Sequence, residues 1–191
     1  MNHTRKYLWI GLLLAVSVAI QGQSKETDKP ATTDRGQING LIYSNAKLGF
    51  SYQLPQGFLV NPDNLPLGHS ILMMADKHNG TPFRHRIVLA ADTGKYSGTI
   101  ADYVTHFANS MAAYVPTVVL RDTYRLRIAD QDFFRIDYQR TQEGKIVYQD
   151  FVCTRLKGAL VSWTFTSLNK QQVREMATSI SSVAFASAKA R

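Results

Sequence analysis

Alternating apolar and polar residues mark the region between residues 118 and 166 as the part of the chain around which the domain is organised. Successive side chains of a β-strand point to opposite faces, so this alternation is typical of a strand that is buried on one face. Four segments show it: Val118–Ile128, Phe133–Arg140, Ile146–Arg155 and Ala159–Thr166. The short polar turns after the second and third segments end in Gly144 and Gly158, and glycine tolerates the positive φ of tight hairpins. We predict an antiparallel meander on which the rest of the domain packs.

The first and third segments differ in how apolar and polar residues are distributed between the two faces of the strand. In Val118–Ile128, a mostly apolar set of alternate residues opposes a set that contains Arg121, Arg125 and Arg127, so this strand is predicted to have one apolar and one basic face. In Ile146–Arg155 the alternation is blurred, because apolar residues stand on both faces. The blurred pattern predicts a strand that is covered on both sides.

Shorter strand candidates precede the meander. They are Gly40–Asn45, a strand around Phe50–Leu54 that Pro55 ends, Ser70–Asp76 and Phe83–Ala91. The last two are separated by Asn79-Gly80, a dipeptide that favours a hairpin turn. Two prolines and little periodicity predict a surface loop at Val60–His69.

Two helices are predicted from apolar residues at helical spacing. The first carries Ile100, Val104, Phe107 and Met111 on one face. Ser97 or Thr99 can cap it, and Asp102 lies three residues after Thr99 as a capping-box partner. The second follows Ser167 or Asn169 as its cap, and its apolar stripe consists of Val173, Met176, Ala177, Ile180 and Val183. The predicted order of elements is several strands, a helix, four strands and a second helix. This order indicates an α+β domain, with helices packed on a mostly antiparallel sheet.

The first 38 residues do not resemble part of the domain. Arg5 and Lys6 precede an uncharged, largely apolar run, Tyr7–Ile20, which is short for a membrane span and typical of a secretory signal. We predict a signal peptide over residues 1–22, a flexible polar linker over 23–38, a single domain over 39–186 and a frayed tail over 187–191. The protein is then exported, to the periplasm or the cell exterior, with no stable transmembrane span; a retained N-terminal anchor is the alternative.

Charge and cysteine content narrow the classes of partner. The chain has 22 Lys and Arg against 14 Asp and Glu, and two of the basic residues lie in the predicted signal peptide, which leaves 20 − 14 = +6 for the mature chain. A moderately basic protein attracts anionic headgroups, polyanions or acidic proteins. Nucleic acid is not predicted, because the chain is exported and has no Lys/Arg block. Cys153, the single cysteine, excludes an internal disulfide and is predicted to be a buried, inert thiol.

Catalytic and metal-binding signals are missing from the sequence. The histidines of the mature chain have no partner at a metal-ligand spacing and are predicted to be solvated or capping; they are His69, His78, His85 and His106. There is no Gly-x-Ser-x-Gly motif and no phosphate-binding glycine motif, and turn chemistry accounts for Asp130 and Asp132. No catalytic residue, cofactor or metal is predicted, and the chain is expected not to be an enzyme.

One group of residues suggests a docking surface. Arginines fall on the polar faces of predicted strands, where neighbouring strands would bring them together; they are Arg84, Arg86, Arg121, Arg125, Arg127 and Arg135. The guanidinium group suits carboxylate and phosphate partners. Alternatively these arginines form a solvated or ion-paired sheet face, with Asp122, Asp137 and Asp150 as partners.

Two stretches resemble PsbP-like domains and the related bacterial DcrB-like proteins. One is Tyr43-x-Asn45 followed by Leu-Gly-Phe-Ser-Tyr-x-Leu-Pro-x-Gly-Phe at 48–58, and the other runs from Trp163-Thr-Phe165 through an amphipathic helix to Ser-Ser-Val-Ala-Phe185. The resemblance covers residues 40–186. It implies an α/β/α sandwich around an antiparallel sheet with two main helices, and a non-enzymatic accessory or interaction role. The photosystem-binding role of one branch has no residue here to support it.

The sequence therefore favours an exported, non-enzymatic accessory or interaction domain, whose partner is a protein or an anionic component of the cell envelope. The alternative is a small-ligand-binding module with a pocket between the sheet and the Val60–His69 loop. Its wall would consist of aromatic residues that otherwise form the core: Phe50, Tyr52, Phe58, Tyr138 and Trp163. A third possibility is a hydrolase with an unrecognised site.

Overall fold

The computed structural model describes residues 34–60, 70–78, 85–94 and 96–186. All of them belong to the compact unit that begins at Thr33. The predicted signal peptide, most of the linker and of the loop before Ser70, the Asn79-Gly80 turn, Arg84 and the C-terminal tail lie outside the described residues.

Strands dominate the described part of the chain. The first six are β1 (Gln37–Asn39), β2 (Ile42–Asn45), β3 (Phe50–Gln53), β4 (Leu59–Val60), β5 (Ile71–Lys77) and β6 (His85–Asp92). Helix α1 (Ile100–Ala112) separates them from β7 (Thr117–Ile128), β8 (Gln131–Gln142), β9 (Lys145–Leu156) and β10 (Ala159–Ser167). The chain then forms helix α2 (Lys170–Thr178), a 3₁₀ turn (Ser179–Ser182) and β11 (Ala184–Phe185).

The predicted meander is confirmed and forms one half of a larger sheet. Strands β7 to β10 pair antiparallel in chain order, and β10 continues to β6, β5 and β4, which gives the order β4-β5-β6-β10-β9-β8-β7. Each meander turn has two residues, and both residues have positive φ in Ala129-Asp130, Glu143-Gly144 and Lys157-Gly158. This is the backbone of type I′ hairpins, whose twist matches that of the strands they join.

A second, small sheet lies apart from the first and was not predicted. Its order is β1-β2-β3-β11, so the last strand of the chain pairs with β3. Residues 37 and 38, which the sequence placed in the linker, belong to β1 and pair with β2. Strands of two to four residues have too short a pattern to be assigned to a sheet from sequence.

The two helices pack on opposite faces of the large sheet, which confirms the predicted α+β class. Phe107 of α1 stacks on Phe151 of β9, with ring centroids 3.9 Å apart. The next residue of β9, Val152, faces the other way and shares a core with Val173 of α2 and with the small sheet. We call these two sides the α1 face and the α2 face. Strand β9 is buried on both, as its blurred pattern predicted.

The centre of the larger core, on the α2 face, is Trp163. This side chain is fully buried, and the rings of Phe50, Tyr52 and Phe133 lie 5.6 to 6.0 Å from it. Aromatic rings bury large areas and prefer such edge-to-face arrangements. The two segments that carry the family resemblance therefore meet in this cluster.

Both helix caps agree with the sequence. The Thr99 hydroxyl accepts from the Asp102 backbone N–H at 3.1 Å while the Asp102 carboxylate accepts from the Thr99 N–H at 3.2 Å, which completes the predicted capping box of α1. Asn169, one of the two candidate caps of α2, accepts from the Gln172 N–H at 3.1 Å. None of the helices in the described ranges has the length and apolar character to cross a membrane.

Candidate functional site

Strand β7 is the edge of the large sheet, and its pairing with β8 is irregular. Between the pairs Val119–Tyr138 and Tyr124–Arg135, five steps along β7 correspond to three along β8. The extra residues form β-bulges, which reverse the alternation of side chains. Arg121, predicted to share a face with Arg125, therefore lies on the α2 face instead.

On the α2 face, Arg121 and Arg135 gather around one aromatic ring. The guanidinium carbon of Arg121 lies 3.6 Å from the ring centroid of Tyr124, and that of Arg135 lies 5.8 Å from the same centroid. Both are cation–π distances. Arg135 also donates from Nε to Asp137 Oδ1 at 2.7 Å and from Nη2 to Asp150 Oδ2.

The carboxylates of Asp137 and Asp150 share the guanidinium group of Arg135 in a largely buried site. The Asp150 side chain is only 5% exposed. Burial raises the pKa of Asp150 to about 7; Arg135 opposes this rise, and the neighbouring Asp137 adds to it. Arg174 also lowers the pKa of Asp150, but desolvation of the buried carboxylate is the larger effect, so this site retains a proton more readily than a solvated carboxylate does.

On the α1 face, two other arginines are paired with a carboxylate. Arg125 Nη2 lies 2.8 Å from Asp132 Oδ1, and Arg127 Nη1 lies 3.4 Å from the same oxygen. The arginine side chains remain 57% and 58% exposed. Arg127 also approaches Asp130, a turn residue, at 3.8 Å. These exposed contacts contribute little to stability, so the arginines remain available to a partner.

Arg86 lies elsewhere. It donates to Asp76 across the β5–β6 pair, with an Nε–Oδ1 distance of 2.7 Å. Strands β10, β9 and β8 stand between it and β7. The arginines predicted to form one docking face are thus divided between two faces of β7–β8 and a distant strand pair, with Arg84 outside the described residues. The predicted ion-pair partners Asp137 and Asp150 are confirmed as partners of Arg135.

An apolar cluster that the sequence analysis missed lies beside Arg121. Val118 is 55% exposed, and four other large apolar side chains at this end of the meander are also exposed: Tyr114, Val119, Leu120 and Ile146. Leu120 belongs to the alternate, mostly apolar residues of Val118–Ile128, which were predicted to form an apolar face. The signal was the run Val118-Val119-Leu120, which breaks the alternation and marks an irregular edge. We call the exposed apolar and arginine side chains of β7 the β7 surface: Val118, Val119, Leu120, Arg121, Arg125 and Arg127.

The prediction of a solvated or capping role is wrong for His85. The side chain is buried, and its Nδ1 forms a 2.9 Å hydrogen bond with the hydroxyl of Ser167. Burial lowers the pKa of His85, and the charge of Lys77 lowers it further. Ser167 is itself fully buried and accepts from the Asn169 N–H, so this Ser–His pair is closed to a substrate.

The remaining histidines show no site, since His78 is exposed, His106 contacts Ser110 on α1 and His69 lies outside the described residues. Among the described residues, no group of three His, Cys, Asp or Glu side chains could hold a metal ion. Cys153 is buried and free, and burial raises the pKa of its thiol.

The aromatic residues proposed to line a ligand pocket are core residues. Phe50, Tyr52, Phe58 and Trp163 belong to the core on the α2 face, and Tyr138 is buried on the α1 face. Tyr138 does have an unusual neighbour, Arg140, which the sequence analysis did not single out. The apolar face of β8 consists of Phe134, Ile136 and Tyr138. Arg140 lies two residues after Tyr138 and therefore on the same face.

Comparison with known proteins identifies the fold. The sequence matches no protein-family model and no curated protein. Among solved structures, cyanobacterial PsbP from Synechocystis is similar with a TM-score of 0.57 and 13% identity, over 78% of this chain and 98% of that one. The chain therefore has a PsbP-like fold, as the resemblance of residues 40–186 implied.

Two further structures share this fold. LpqN of Mycobacterium tuberculosis, described as involved in cell envelope biogenesis, is similar with a TM-score of 0.51 and 10% identity, over 72% of this chain and 83% of LpqN. A Pseudomonas aeruginosa protein of unknown function is similar with a TM-score of 0.50 and 17% identity, over 65% of this chain and 94% of that one. At these identities the likeness concerns the fold alone.

Proposed function

We propose that this protein is an exported, non-enzymatic accessory domain that binds a protein partner through the β7 surface. The observation that carries the proposal is the exposure of three consecutive large apolar residues, Val118 to Leu120, on an edge strand directly before Arg121. Protein interfaces combine buried apolar or aromatic side chains with arginine, which is enriched there.

The chemistry of the surface indicates the chemistry of the partner. Arg121, Arg125 and Arg127 place three guanidinium groups along one strand, against a single exposed carboxylate on that strand, Asp122. A partner segment with carboxylates beside an apolar side chain would complement both features. The bulges at residues 119–124 disturb the regular edge, so we expect side-chain docking rather than the simple addition of a strand.

The fold neighbours support this reading in a general way, since one of them is described as involved in cell envelope biogenesis. Export itself is proposed from the apolar run Tyr7–Ile20. It is tested by N-terminal sequencing of the protein isolated from its native host. A start near residue 23 supports removal of a signal peptide, whereas a start at Met1 contradicts it.

Docking is tested by photo-crosslinking in the native host. A photoreactive residue is placed at Val118 and, as a matched control, at Leu59, which is exposed on β4 at the opposite edge of the sheet. We expect one protein to crosslink from position 118 and not from position 59. Sequencing of the crosslinked peptide should show carboxylates beside an apolar residue.

Charge reversal tests the arginines in the same assay. The double variant Arg121→Glu/Arg125→Glu should abolish the crosslink, and Lys170→Glu, which reverses an exposed charge at the start of α2, should leave it intact. An adduct that survives the double reversal contradicts the proposal. Binding of the purified protein to vesicles containing anionic lipid, lost in the double variant, would instead assign the surface to a membrane.

A further inference from the structure

Arg140 is a buried cation that has no partner among the described residues. Its side chain is 4% exposed, and both Nε and Nη1 are buried with no hydrogen bond. Within the described ranges no carboxylate forms an ion pair with it, and burial lowers the pKa of the guanidinium. An isolated buried charge costs several kcal/mol, so buried arginines are normally paired.

The unpaired groups next to Arg140 belong to two adjacent side chains. Tyr138 precedes it by two residues on the same face of β8, and Gln149 is the cross-strand neighbour of Tyr138 on β9. The Tyr138 hydroxyl and Gln149 Oε1 are both buried and without a hydrogen bond. Unsatisfied buried groups are rare in folded proteins. Among the described residues there are five such side-chain atoms, and all except Trp163 Nε1 lie together on one face of this strand pair.

These groups can serve a single ligand. Arg140 offers N–H donors at Nε and Nη1, and Tyr138 offers an O–H donor. Gln149 Nε2 lies 2.9 Å from the hydroxyl of Thr166, which can both donate and accept. Turning the Gln149 amide therefore keeps this hydrogen bond and presents an N–H donor to the ligand. A positive charge surrounded by donors matches an oxyanion.

The position of Arg140 in the fold indicates from which side a ligand would reach it. Arg140 is the last inward-facing residue of β8 and is followed by the exposed Thr141. The N–H of Thr141 donates to the carbonyl of Pro116 at 2.9 Å, so the segment between α1 and β7 runs past this end of the strand. The site therefore lies at the rim of the α1 face, on the side of the sheet opposite Tyr124 and Asp150.

We propose that Arg140, Tyr138 and Gln149 form a binding site for a small oxyanion, the carboxylate or phosphate group of a small molecule. This proposal does not rest on the proposed docking through β7, although Val119 of the β7 surface pairs with Tyr138. The anion supplies a countercharge that Arg140 lacks among the described residues, and the site explains why three neighbouring polar side chains are buried together.

The test uses calorimetric titration of the full chain with sodium acetate, sodium succinate and inorganic phosphate, at constant ionic strength in chloride buffer. We expect saturable binding of a carboxylate or of phosphate, and the comparison of the three identifies the class. Tyr138→Phe should weaken binding about tenfold, because one hydrogen bond to a charged group is lost. Arg140→Met should abolish it. Arg174→Met, the same change at an exposed arginine of α2, should bind as the wild type does.

Thermal unfolding provides a second readout that a purely structural role would not give. In chloride buffer, Arg140→Met and Tyr138→Phe should be at least as stable as the wild type, because each removes an unsatisfied buried group. The binding anion should then raise the unfolding temperature of the wild type and Arg174→Met, but not that of Arg140→Met. No binding by the wild type, or equal responses in all four proteins, overturns the proposal and assigns any response to a general salt effect.

Discussion

Replacing Asp150 by asparagine tests whether the buried carboxylates of Asp137 and Asp150 on the α2 face are both ionised. Asp137 and Asp150 both contact Arg135, and their mutual repulsion adds to the desolvation of Asp150 when both acids are ionised. Asp150→Asn keeps the shape of the side chain and an oxygen that can accept from Arg135. It removes the ionisation, and Asp137 remains as the countercharge of Arg135.

The expected effect follows from the raised pKa. Burial raises the pKa of Asp150 from 3.8 to about 7, a difference of roughly three units, and each unit corresponds to about 1.4 kcal/mol. At pH values between 3.8 and about 7, Asp150 of the folded protein holds a proton that it has lost in the unfolded chain. Stability is therefore highest below the unfolded pKa and falls as the pH rises towards 7, by up to about 4 kcal/mol in all. Roughly 2 to 3 kcal/mol of this loss falls between pH 5 and pH 8.

The assay is urea unfolding followed by tryptophan fluorescence, with wild type and Asp150→Asn compared between pH 5 and pH 8. The free energy of unfolding of the variant relative to wild type should rise by roughly 2 to 3 kcal/mol over this range. His85 has a lowered pKa and acts in the opposite direction, since its contribution is lost as the pH falls, but it is common to both proteins and cancels. Asp122→Asn, the same change at an exposed position, serves as the control and should show a constant difference.

A constant difference for Asp150→Asn, or one that favours the wild type at high pH, would refute the reasoning. It would mean that the attraction between Asp150 and Arg135 exceeds the desolvation of the carboxylate, and that both acids are ionised throughout. An intermediate slope would measure how the proton is shared between Asp137 and Asp150.

Three further predictions concern stability, each measured by urea unfolding at neutral pH. Trp163→Ala should lower the free energy of unfolding by about 4 kcal/mol, because it empties the centre of the larger core; Trp163→Phe should cost clearly less, and an equal cost would contradict this account. Thr99→Ala should cost about 1 kcal/mol through the lost cap of α1, while Thr99→Ser should be nearly neutral. Glu143→Asn should gain about 0.5 to 1 kcal/mol, because φ of Glu143 is 50° and asparagine before Gly144 suits a type I′ turn. A loss of stability in this last variant would show that the Glu143 side chain has a stabilising contact.

Features that depend on neighbours in sequence were predictable. The alternation in β7–β10, the glycines that end two of the hairpin turns and the Thr99–Asp102 capping box are all readable within about a dozen residues. The blurred pattern of β9 even predicted burial on both faces. The aromatic residues of the two resembling segments were recognised as core candidates, and they meet around Trp163.

Features that depend on pairing were not predictable. The small sheet joins Phe50 to Phe185, and His85 reaches Ser167; in both cases the partners are far apart in the chain and no local signal links them. The side on which Arg121 lies depends on the bulges of β7, which exist only relative to β8. A one-residue change in register moves a side chain to the other face, so a docking face cannot be assembled from the pattern of one strand.

The sequence by itself determined the α+β class, the meander, the two helices and their caps, because periodicity, turn residues and capping groups act over short stretches of chain. Only the tertiary structure decided that β7 is an edge, that the arginines divide between two faces, and that Asp150 and Arg140 are buried. The reason is physical: desolvation and charge pairing depend on what covers a side chain, and the covering elements come from distant parts of the chain.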